Sequence, residues 1–111
     1  MDVEIRPLAG DWDEVLHIAT LAFGESPDPV TFAADEALFE RERSLAAYDG
    51  DLAVAHTGIF SLRLRVPGAI VDTAGVSWVG VLPTHRRRGI LRRLMERQLA
   101  DVHEIGKEAL A

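Results

Sequence analysis

The 111-residue chain contains no cysteine. Disulfide staples, thiolate nucleophiles and cysteine metal sites are therefore excluded, and the absence fits a reducing cytoplasm. No uninterrupted apolar run approaches the length of a membrane span. The start, Met1-Asp2-Val3-Glu4, lacks the basic-then-apolar order of a signal peptide. A soluble, cytoplasmic protein with no membrane partner is expected. Two common phosphate loops are also missing: there is no Gly-Lys-Ser/Thr of a Walker A loop and no G-x-G-x-x-G after a strand. His17, His56, His85 and His103 share no metal-ligand spacing and join no acid pattern, so no metal is expected.

What is present fits one small domain with enough apolar material, 48% of residues, for a core. The net charge of −6 argues against a generic nucleic-acid binder. That charge is unevenly placed. The stretch 86–97 holds six arginines against one acid, Glu96, a local +5 that leaves −11 on the remainder. An acidic body with one cationic patch draws an anion to one place and favours a cationic second substrate elsewhere.

The pattern predicts the order strand, helix, helix, three antiparallel strands, helix. Residues 3–5 read as a short strand closed by Pro7. Asp11 and Glu14 open a helix in capping-box spacing, which continues through Val15, Ile18, Ala19, Ala22 and Phe23 at helical spacing and ends near Gly24. A second helix is expected over 31–43. Strands follow at 45–48, 52–66 and 70–81, turned by Asp49-Gly50 and Pro67-Gly68. The last is expected to be central, with an interruption near 72–75. The final helix, 88–105, carries an apolar stripe of Ile90, Leu91, Leu94, Met95, Leu99, Val102 and Ile105, with Gly106 as its C-cap. Residues 107–111 read as too short for a further element.

Chemistry concentrates where the last strand meets that helix. A helix start exposes unpaired N–H groups and a partial positive charge, and phosphates settle there readily. Gly89 lets backbone approach a ligand without a Cβ in the way. Arg86, Arg87 and Arg88 add forked cationic donors. Pro83 stops the preceding strand from pairing onward.

These residues resemble a known family. Arg86-Arg87-Arg88-Gly89-Ile90-Leu91 is similar to the Q/R-x-x-G-x-G/A acetyl-CoA signature of the GCN5-related N-acetyltransferases (GNAT), and Val79-Gly80-Val81-Leu82-Pro83 is similar to their fourth strand. The fuller run V-x-V-x-P-T-H-R-R-R-G-[IL]-L resembles the enhanced intracellular survival (Eis) branch, as do Val66-Pro67-Gly68 and Thr73-Ala74-Gly75-Val76. Leu91 departs from the small residue of the general motif and agrees with that branch.

The resemblance implies a mixed α/β GNAT fold, N-terminal portion, ordered β-α-α-β-β-β-α. It implies acetyl-CoA as co-substrate and a primary amine as acceptor, on an aminoglycoside-like polycation or a protein lysine. Val79, Gly80 and Val81 would hold the pantetheine arm. Arg86, Arg87, Arg88, Gly89, Ile90, Leu91 and Arg92 would surround the pyrophosphate. Phe23 and Glu25 would stand at the acceptor lip, against the plainer reading of a core Phe and a surface Glu. The family's tyrosine donor and C-terminal carboxylate base have no counterpart here. The one tyrosine, Tyr48, matches no family motif, so no catalytic residue is assigned. The expectation is an acetyltransferase fragment that binds CoA without turnover and self-associates through an exposed edge of its central strand. Two alternatives stand beside it: a non-catalytic acyl-CoA-binding or interaction module, or decayed gene fragment, and an RNA-binding fragment, the last weakened by the acidic remainder and the lack of aromatics among the arginines.

Overall fold

The computed structural model describes residues 3–10, 12–24, 28–38, 40–106 and 109–110. In chain order the elements are β1 (Glu4–Pro7), α1 (Trp12–Phe23), α2 (Pro29–Leu38), β2 (Leu45–Asp49), β3 (Leu52–Val66), β4 (Ala69–Val81), α3 (Ile90–Ile105) and β5 (Ala109–Leu110). Short 3-10 turns lie at Arg41–Arg43 and Pro83–His85. The second helix is therefore shorter than its predicted 31–43: α2 ends at Leu38, and the Arg41–Arg43 turn leads into β2. Among the described residues no helix is long and apolar enough to cross a membrane.

The strands form one sheet in sequential order, β1-β2-β3-β4-β5. The first three pairings are antiparallel. The glycines of Asp49-Gly50 and Pro67-Gly68 sit at φ +63° and +82°, as tight hairpin turns require. The fourth pairing corrects the sequence reading. A further strand is present within the stretch read as too short for one: β5, Ala109–Leu110, runs parallel to β4, pairing Thr73 with Ala109 and Ala74 with Leu110. Beyond Ala74, no described strand pairs with β4 on that side. The edge is open over Gly75 to Val81, which explains why Val76, Val79 and Val81 are only half-buried.

The irregularity expected near 72–75 falls further on. His56 pairs with Gly80 and Gly58 with Ser77, so Trp78 and Val79 together stand opposite Thr57. That two-against-one count is a β-bulge, and Trp78 takes φ +54° to make it.

The core sits between the sheet and its helices. Val15 and Ile18 of α1, Leu45 to Tyr48 of β2, Val54 and Ala55 of β3, and Ile90 and Leu94 of α3 form one buried cluster. Trp12 and Trp78 pack against it, edge to face with centroids 5.5 Å apart. A Cβ on Gly80 would come within 3.2 Å of Ala22 Cβ, so glycine there lets α1 lie close on β4. Helix α3 is turned slightly from its predicted stripe. Its buried row is Ile90, Leu94, Gln98 and Val102, while Leu91, Leu99 and Ile105 stay exposed. Gln98 is held in that row because Thr57 Oγ1 donates to its Oε1 at 2.6 Å.

Candidate functional site

β4 ends at Val81, and Leu82 N–H still bonds Val54 O at 2.8 Å. Pro83 then redirects the chain into the 3-10 turn and a short loop that starts α3. Two loop residues are left-handed, Arg87 at φ +65° and Gly89 at φ +73°. Gly89 is the N-cap of α3 and gives no side-chain cap. The first helical bond runs from Arg93 N–H to Gly89 O at 3.1 Å. The N–H groups of Gly89, Ile90, Leu91 and Arg92 thus have no partner within the helix.

The same four residues line a cleft of about 340 Å³. Gly80 and Val81 form its strand wall, Ala22 and Phe23 its α1 wall, and His85, Arg86, Arg87 and Gly89 to Arg92 its loop and helix wall. The structure therefore brings most of the sequence-derived site residues around one space. Val79 and Arg88 lie outside its lining. Phe23 is exposed at the cleft's edge, so the end of α1 does meet the loop; Glu25 lies outside the described residues.

The arginines divide their work. Arg86 Nη2 donates to Ala22 O at 3.0 Å, bridging the loop to the end of α1. Arg88 Nη2 donates to Thr84 O at 3.3 Å. Arg92 pairs with Glu96 at 3.0 Å on the helix surface, and Arg93 Nη2 reaches Val3 O at 3.2 Å. Three guanidinium groups thus brace protein backbone, and of these Arg86 also lines the cleft.

Two histidines hold the surroundings. His56 is fully buried, and its Nδ1–H donates to Trp78 O at 2.8 Å, pinning the bulge. Burial pushes its pKa below 6.5, against the upward pull of that hydrogen bond, so the neutral ring is favoured. His85 Nε2–H donates to Asp49 Oδ2 at 3.0 Å, and its Nδ1 shares a hydrogen bond with Thr84 Oγ1 at 2.7 Å. No local spacing in the sequence signals either partnership. Tyr48 is buried, with Arg6 stacked 4.1 Å from its ring centroid and its hydroxyl oxygen accepting Ala9 N–H at 2.9 Å. Among the described residues no group of three His, Asp or Glu could hold a metal ion.

The sequence matches the acetyltransferase (GNAT) domain over residues 4–111. The chain belongs to the GNAT family. It is 40% identical over 114 residues to an uncharacterized N-acetyltransferase of Streptomyces avermitilis, covering 96% of this chain and 27% of that protein. The crystal structure of Eis1 from Mycobacterium abscessus matches with a TM-score of 0.81 and 31% identity, over 96% of this chain and 26% of that one. A GNAT family acetyltransferase from Brucella melitensis, solved in complex with acetyl-CoA, shares the fold at a TM-score of 0.74 and 23% identity, over 98% of this chain and 73% of that one. The chain spans about a quarter of the length of the curated relatives it matches. The GNAT and Eis-like resemblance read from residues 76–93 is therefore borne out at the level of family and fold.

Proposed function

We propose that the cleft binds acetyl-CoA, and that the chain is the N-terminal portion of a longer, cytoplasmic, Eis-like enzyme that acetylates a primary amine. The observation that carries this reading is the uncapped start of α3 set beside the bulged, open edge of β4. Backbone N–H groups of Gly89 to Arg92 would take the pyrophosphate, reinforced by the helix dipole and arginine charge. The open edge at Val79 to Val81 would take the pantetheine arm as a neighbouring strand. The thioester would then lie near the bulge, where an amine attacks the acetyl carbonyl directly. The acidic remainder of the chain suits a cationic acceptor, an aminoglycoside-like polycation or a protein lysine.

That reaction needs a base for the ammonium and an acid for the leaving thiolate. Apart from arginines, the only titratable residue lining the cleft among those described is His85, and it is already bonded to Asp49 and Thr84. Tyr48 is likewise committed to Ala9. These commitments favour a second reading of the isolated chain as an acyl-CoA-binding module without turnover.

Calorimetry tests the proposal directly. Acetyl-CoA should bind saturably and an RNA oligomer should not; the reverse result would refute it. A coupled thiol-release assay should detect no acetyl transfer by the isolated chain. Robust turnover of any amine would show the chain to be catalytically sufficient and overturn the module reading.

A further inference from the structure

The loop that forms the cleft is conformationally expensive. Arg87 holds a left-handed backbone without being glycine, a state L-residues rarely adopt because Cβ crowds the carbonyl oxygen. Such a residue persists when its surroundings over-determine it. Three side chains supply that constraint. Two are exposed arginine bonds, Arg86 to Ala22 O and Arg88 to Thr84 O. The third is different. His85 is buried, lines the cleft, and reaches Asp49 across 36 residues of sequence. Its other nitrogen lies 2.7 Å from Thr84 Oγ1, so the ring is held at both ends. Asp49 is itself rigidly placed, as the last residue of β2, paired with Leu52 at the tight Gly50 turn. The chain of contacts therefore runs from a hairpin in the sheet, through a buried imidazole, to the residue that immediately precedes the loop.

We propose that Asp49 is a positioning residue for coenzyme binding. Through His85 it clamps the loop so that the N–H groups of Gly89 to Arg92 converge on the pyrophosphate before the ligand arrives. This rests on the reading of the cleft as the acetyl-CoA site. The clamp makes no ligand contact through Asp49; its contribution is the ordering cost that binding no longer has to meet.

The test pairs amide hydrogen exchange on the free chain with calorimetry using CoA, for wild type, Asp49→Ala, His85→Ala, the double variant and Asp49→Asn. Asp49→Ala and His85→Ala should each speed exchange at the hydrogen-bonded amides that flank the loop, His85 and Arg93, and weaken CoA about ten-fold, with the double variant no worse than either single one. Asp49→Asn still offers an oxygen to Nε2–H and should stay within about two-fold of wild type. Asp49→Ser, short and turn-compatible, serves where Asp49→Ala does not fold. Unchanged exchange and affinity in Asp49→Ala would overturn the clamp, as would Asp49→Asn proving as poor as Asp49→Ala. Failure of the wild-type chain to bind CoA would instead overturn the coenzyme reading, and the clamp would then be decided by the exchange data alone.

Discussion

The two ends of α3 are both marked by a left-handed glycine, and they do opposite things. Gly89 has φ +73° and ψ +12°; Gly106 has φ +70° and ψ +13°. At the C-terminal end, Gly106 N–H bonds Val102 O at 3.2 Å and closes the helix. At the N-terminal end the same conformation precedes the helix, no side chain caps it, and the residues of the uncapped turn line a cleft. The packing beneath differs as well. Ile90 and Leu94 anchor the first half of α3 in the main core, whereas Val102 belongs to a three-residue cluster with Ile59 and Ala74. The open end is thus the firmly seated one, which is what a preorganised anion site requires.

The largest expected effect tests that seating. Leu94→Ala empties a fully buried position and should cost about 2–5 kcal/mol of stability in denaturant titration; a loss under about 1 kcal/mol would mean the first half of α3 is not anchored as described. The glycines themselves come next. Gly89→Ala should weaken acetyl-CoA about ten-fold by calorimetry, near 1.4 kcal/mol, because a Cβ intrudes where the ligand approaches backbone. Gly106→Ala should cost about 1 kcal/mol of stability and leave acetyl-CoA affinity unchanged. Equal effects on affinity at both glycines would erase the distinction between the two ends.

A pH effect bears on the strand that faces the open end. Because burial holds His56 below 6.5 in the folded chain, the unfolded chain takes up its proton first as pH falls. Stability from this group is fully present above about pH 6.5 and declines as pH drops from there toward the folded value. Urea melts of wild type and His56→Asn at about pH 7.5 and 5.5 should show the wild type losing more stability on acidification. The smallest effect belongs to the exposed Arg92–Glu96 pair: Glu96→Ala should shift stability by no more than about 0.5 kcal/mol, and a larger change would mean that the pair does more than decorate the surface.

Much of this was legible in the sequence because it is local chemistry. Asp49-Gly50 and Pro67-Gly68 announce hairpins, Gly106 announces a cap, and Pro83 followed by arginines and Gly89 announces a strand-to-loop-to-helix junction. What was not legible is what distant residues decide. Ala109 and Leu110 have no strand signal of their own and become β5 only because Thr73 and Ala74 offer an edge. Trp78 carries no marker for positive φ; the bulge follows from its register against β3 and from His56 beneath it. Gln98 reads as surface polar until Thr57 supplies its buried partner. His85 stands beside the arginine run in the sequence, but its partner Asp49 lies 36 residues away.

The most direct measurement of the central claim is a nitrogen-15 amide spectrum of the chain titrated with CoA. The largest shifts are expected at the amides of Gly89, Ile90, Leu91 and Arg92, with little change at Gly106. Shifts centred elsewhere, or equal at the two ends of α3, would contradict it.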